Sequence, residues 1–110
     1  MTEFDAERFE DKYANYFTEL QRAYKGAFET MNDRYDSELI HAIDQRILAE
    51  SEPFYEGDGQ FRIELPDDPH ERLSGVVVAD DEKVETILER YVEEIEAEIR
   101  AVFGFGDGDA

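Results

Sequence analysis

A chain of 110 residues, 41% hydrophobic with 8 Phe and 6 Tyr, is one domain's worth of sequence and can bury a core. It has no cysteine, which excludes disulfides and thiolate metal sites, and no apolar run near the ~18 residues of a membrane span. Thirty acids against eleven basic residues give a formal charge of −19, spread along the chain with no basic stripe, so nucleic-acid binding is not expected.

Asp5, or Thr2 with Asp5 three residues later, offers the cap of a first helix. Its apolar positions are Phe9, Tyr13, Tyr16, Phe17, Leu20, Tyr24, Ala27, Phe28 and Met31, which fall within an arc of about 100° at the helical period. This predicts one helix from about residue 5 to residue 31, ~40 Å long. Asp36 or Ser37 caps a shorter second helix carrying Leu39, Ile40, Ile43, Ile47 and Leu48, and Pro53 closes it. Phe61, Ile63 and Leu65 then alternate with Arg62 and Glu64 as a strand. A three-residue loop, Gly57-Asp58-Gly59, sets Tyr55 opposite Phe61 and Pro53 opposite Ile63, putting apolar beside apolar. The run Gly75–Ala79 reads as a short buried third strand. Asp80 or Asp81 caps the last helix, whose apolar residues run from Val84 to Phe103 before Gly104 ends it. The expected architecture is α+β: two N-terminal helices, a β-hairpin plus a short third strand, and a long C-terminal helix. It forms a single domain over 1–103, with a flexible Gly/Asp tail over 104–110.

Two stripes share one spacing. Phe9, Tyr13, Tyr16, Leu20, Tyr24 and Ala27 follow each other at 4-3-4-4-3, as do Val84, Leu88, Tyr91, Ile95, Ile99 and Val102. Eighteen residues in five turns is about 3.6 per turn, so these are straight seams suited to packing on each other or on a symmetry mate. Tyrosine buries a ring while keeping a wet hydroxyl, so Tyr13, Tyr16 and Tyr24, with Tyr91 on the last helix, are the expected interface residues. The expected partner is a second copy of the chain, with an unidentified protein partner as an addition.

Catalytic signatures are missing. The Gly57–Gly59 loop has too few oxygens for calcium and is read as a bend. Glu38 and His41 share a helix face at the spacing used by di-iron carboxylate bundles, but those need two such motifs and two further Glu. The pair is a weak metal candidate that only a dimer could complete. The expected function is therefore a non-enzymatic protein-interaction module without cofactors. The alternative is a small metal-dependent enzyme with its site at a dimer interface.

The stretches YFTELQRAY (Tyr16 to Tyr24), FETMNDRYDSEL (Phe28 to Leu39) and ESEPFYEGDG (Glu50 to Gly59) resemble small acidic proteins of haloarchaea that have no assigned activity. The resemblance covers most of the chain. It implies a lineage and a salt-rich cytoplasm, and transfers no site residue. The charge agrees with it: a surface at −19 repels itself, and in molar salt the screening length falls to about 3 Å. We therefore predict that the fold melts when KCl is diluted to about 0.1 M, where screening reaches only about 10 Å. Circular dichroism across a salt series checks this, and a fold unchanged at low salt contradicts it.

Overall fold

The computed structural model describes residues 4–69, 71–73, 75 and 80–105. Within them the chain is α+β. Its elements are α1 (Ala6–Phe9), α2 (Lys12–Asn15), α3 (Phe17–Arg34), α4 (Ser37–Arg46), β1 (Glu52–Gly57), β2 (Gln60–Glu64) and α5 (Asp81–Val102). Short 3-10 turns occur at Leu48–Glu50 and Glu71–Leu73.

The long helix α5 is specified locally at both ends. Asp80 Oδ1 accepts from the Lys83 N–H at 2.8 Å, and Asp81 and Glu82 sit in the first turn, where the helix dipole favours acids. At the other end Gly104 takes φ +84°. The Gly104 N–H then reaches Ala101 O at 3.1 Å and the Phe105 N–H reaches Arg100 O at 2.7 Å, the paired bonds of a Schellman close. Between these ends Val84, Ile87, Leu88, Tyr91, Ile95 and Ile99 are buried.

Helix α3 lies along α5 and makes the most extensive helix–helix contact of the fold. Its buried residues are Leu20, Ala23, Ala27 and Met31. Small side chains here bring the two backbones close. At Gly26 an added Cβ would stand 2.8 Å from Glu98 Oε1, so the missing side chain is the space the Glu98 carboxylate occupies. Helix α4, capped by Asp36 Oδ1 on the Glu38 N–H at 3.2 Å, packs Leu39, Ile40, Ala42 and Ile43 into the same core.

The expected single helix over residues 5–31 does not form. The chain leaves helical geometry at Asp11 (φ −119°, ψ 52°) and again at Tyr16 (φ −130°, ψ 24°), dividing it into α1, α2 and α3. A straight helix of that length would carry Phe9 past the hairpin and into solvent. The two breaks fold α1 and α2 back over β1, and Phe9 and Tyr16 become buried. Asn15 Nδ2 donates to Arg8 O at 2.9 Å and Asp11 O at 3.2 Å, tying α2 back to α1 across the first break.

The hairpin keeps the expected register, with Pro53 opposite Ile63 and Tyr55 opposite Phe61, but reaches it differently. Gly57 pairs with Gln60, so the loop is the two-residue turn Asp58-Gly59, and Glu56 is the extra residue of a β-bulge. Both turn residues have positive φ (53° and 73°), as a type I′ turn requires, and Gly57 at +96° completes the bend. Pro53 belongs to β1; α4 has already ended at Arg46. Packing also continues beyond residue 103. The Phe105 ring lies 3.0 Å from where a Cβ on Gly59 would be. The expected strand over Gly75–Ala79 falls on residues 76–79, which lie outside the described residues, as do His70, Ser74 and the chain beyond Phe105.

Ala27 is fully buried on the face of α3 that carries Leu20, Ala23 and Met31. Ala27→Leu should cost about 1–3 kcal/mol through overpacking, read by urea unfolding in molar KCl. An unchanged midpoint would show that the crossing has room to spare.

Candidate functional site

Seven of the 14 aromatic rings gather into one cluster of the core. Phe4 is the hub, with its ring centroid 4.8 Å from Tyr55, 4.9 Å from Phe103, 5.4 Å from Phe105, 5.5 Å from Phe9, 5.6 Å from Phe61 and 5.8 Å from Tyr16. Both ends of the described chain are thereby fastened to the hairpin. Tyr16, 3% exposed, accepts from the Asp5 N–H at 2.9 Å through its hydroxyl. Tyr91, 1% exposed, is a core residue of α5. Of the four expected interface tyrosines, Tyr16 and Tyr91 are thus buried within this chain, Tyr24 is half-buried and Tyr13 is exposed.

Beside this cluster sits a buried cation. Lys12 Nζ bonds Glu52 Oε2 at 2.8 Å and lies 4.8 Å from the Phe54 ring centroid and 5.4 Å from those of Phe9 and Tyr13. A second cation, Arg62, has its guanidinium carbon 4.8 Å from the same Phe54 ring and pairs with Glu56 at 3.0 Å. Only 5% of the Lys12 side chain is exposed, so its charge is held by one carboxylate and three ring faces. This cage was not expected from the sequence. The only local signal is that Lys12 stands three residues after Phe9 and next to Tyr13 in an aromatic-rich stretch.

The accessible apolar surface lies next to the cage. Tyr13 and Phe17, 53% and 52% exposed, are large hydrophobics left in solvent among the described residues. They border a cleft of about 200 Å³ between α3 and the start of β1, with Leu20, Tyr24, Ser51 and Pro53 in its lining. In its floor the Tyr24 hydroxyl meets Ser51 Oγ at 3.1 Å, and Ser51 Oγ donates to Leu48 O at 2.7 Å. Burial pushes the Tyr24 phenol up to about 12, so it stays protonated at neutral pH.

The Glu38–His41 pair is placed differently. Both side chains are exposed, and the His41 ring stands edge-on to Phe28 at 4.9 Å. Asp44, one turn further, accepts from the Tyr91 hydroxyl. Among the described residues no group of three or more His, Asp or Glu is placed to hold a metal ion. A site at Glu38 and His41 would need ligands from outside the described residues of this chain. Along α5, a further cleft of about 430 Å³ has Leu65, Leu88 and Val92 in its lining and Glu85, Glu89, Glu93 and Glu96 around them. Among the described residues no helix is long and apolar enough to cross a membrane.

A family model described as a family of unknown function, DUF5783, matches residues 1–106, and the chain belongs to that family. No curated protein and no solved structure matches the chain.

Burial lifts the carboxyls of Asp44 above its ordinary 3.8 and of Glu96 and Glu98 above their ordinary 4.5, with nearby Glu93 and Glu94 adding to the last two. Each folded-state value is the higher, so the folded chain keeps these protons longer than the unfolded chain as pH rises. Stability is then lost as pH climbs through the window above those ordinary values. The Tm in molar KCl should be higher at pH about 5 than at pH about 7.5, with Glu96→Gln narrowing the gap. A Tm that falls on acidification to pH about 5 contradicts the assignment.

Proposed function

We propose that this member of DUF5783 is a non-enzymatic protein-interaction module that self-associates through the face formed by α2 and α3, in a salt-rich cytoplasm of the haloarchaeal kind. One observation carries the reading: Tyr13 and Phe17 stay half-exposed at the rim of an apolar cleft while Phe9, before them, and Tyr16, between them, are buried. The seam of α5 supports no such contact, because Val84, Leu88, Tyr91, Ile95 and Ile99 face this chain's own core. Of the two matched seams, the N-terminal one is therefore the one left for self-association.

Charge favours the same face. Two bodies at −19 repel each other wherever acids meet. With Lys12 buried against Glu52, the stretch from Tyr13 to Phe28 carries two basic residues (Arg22, Lys25) and one acid (Glu19). A second copy approaching there meets the least repulsion, and salt screens what remains without weakening the apolar contact.

Sedimentation equilibrium in molar KCl should show a concentration-dependent dimer for the natural chain. The double variant Tyr13→Ser, Phe17→Ser should be a monomer with an unchanged far-ultraviolet spectrum, since both side chains are about half-exposed. A natural chain that remains monomeric up to millimolar concentration defeats the proposal.

A further inference from the structure

The cleft beside Tyr13 and Phe17 has a definite chemistry. A hydroxyl has one proton to give. Ser51 gives its proton to Leu48 O at 2.7 Å, so the contact at 3.1 Å runs from the Tyr24 hydroxyl to Ser51 Oγ. The Tyr24 oxygen then has only lone pairs to offer a visitor. Around it stand the rings of Tyr13, Phe17 and Tyr24, whose faces attract cations. Burial raises both phenols, and the Glu52 carboxylate adds to this at Tyr13 and, as the smallest contribution, at Tyr24. The neighbouring cage shows what such a setting holds: there the Lys12 ammonium lies against Tyr13 and Phe54 and bonds Glu52.

The matching cation is on the same face. Lys25 is exposed and has no ion pair or hydrogen bond with the described residues of its own chain. Phe17, Gln21 and Lys25 follow each other four residues apart along α3, and so form one ridge of the helix. Gln21, exposed and uncharged, is its midpoint. A two-fold axis crossing α3 at Gln21 runs two copies of the helix antiparallel and exchanges position 17 with position 25. Each Lys25 then lies over the Phe17 of the other copy, and each Gln21 amide faces its own counterpart.

We propose that the cleft is a socket for a basic side chain, and that its occupant is Lys25 of a second copy, docked antiparallel about a two-fold axis at Gln21. The proposal rests on the self-association proposed above and specifies its chemistry and register. One face supplies both the socket and the cation, so a symmetric pair fills two sockets at once and leaves none to propagate a fibre.

The absence of cysteine gives a direct test, because each introduced thiol is the only one in its chain. On mild oxidation in molar KCl, Gln21→Cys should cross-link to itself. Phe17→Cys mixed with Lys25→Cys should give the mixed disulfide, whereas neither should cross-link alone. In that register two copies of position 17, or of position 25, lie at least about 12 Å apart, beyond the ~7 Å Cα separation a disulfide can span. Lys25→Gln should weaken the dimer roughly tenfold or more, the scale of two partly desolvated cation–aromatic contacts, and Lys25→Arg should retain it. A natural chain that dimerises while Lys25→Gln dimerises equally well and Gln21→Cys stays unlinked overturns the socket and leaves self-association standing. Self-linking of Phe17→Cys overturns the antiparallel register. A monomeric natural chain overturns both proposals.

Discussion

The contact between α3 and α5 is the constraint on which the rest of the molecule depends. Both helices are otherwise polar, and α5 carries eight acids against three basic residues, so neither would persist alone in water. Their mutual burial fixes the axis against which α4 and the hairpin are placed. It works because α3 presents Ala23, Gly26 and Ala27 where α5 comes closest, leaving volume for Tyr91, Ile95 and Ile99. Larger residues at those points would push the helices apart and reopen the core.

From that pairing follows the fate of the N-terminal stripe. α3 and α5 already account for most of the molecule's 42 Å long dimension. An unbroken N-terminal helix would leave its first turns without cover. The breaks at Asp11 and Tyr16 solve this by turning Phe9 and Tyr16 inward, where they join Phe4, Phe61 and Phe103. The same turns bring Lys12 under Phe54 and against Glu52, forty residues later in the chain. A buried ammonium is costly unless it is paired, and here one carboxylate and three rings compensate it. Tyr13 and Phe17 are the residues of the stripe that this rearrangement leaves facing out. Their exposure is thus a by-product of how the core was completed, on a stretch, Lys12 to Phe28, that carries a single acid.

Some of this was legible in the sequence and some was not. α5 was readable almost to the residue, since its cap, stripe and terminal glycine all act within a turn or two. The hairpin register was readable because only one alignment puts Tyr55 beside Phe61 and Pro53 beside Ile63. The turn itself was misread: a three-residue loop and a two-residue turn with a bulge at Glu56 give the same pairing further along, and the apolar pattern cannot separate them. The four tyrosines carried no local mark distinguishing core from surface. Tyr13 and Tyr16 occupy equivalent places in one periodic stripe, and only the break at Tyr16 exposes the first and buries the second.

By itself the sequence determined what depends on near neighbours: the helical and strand periods, the caps at Asp36 and Asp80, the closing glycine, and a charge that makes the surface depend on screening. The tertiary structure alone decided where the long stripe breaks, which aromatic residues face solvent, and that Lys12 is caged. The physical reason is reach. A periodic pattern says that a face will be covered, whereas the length and position of what covers it are set by α5 and the hairpin, folded from residues far along the chain.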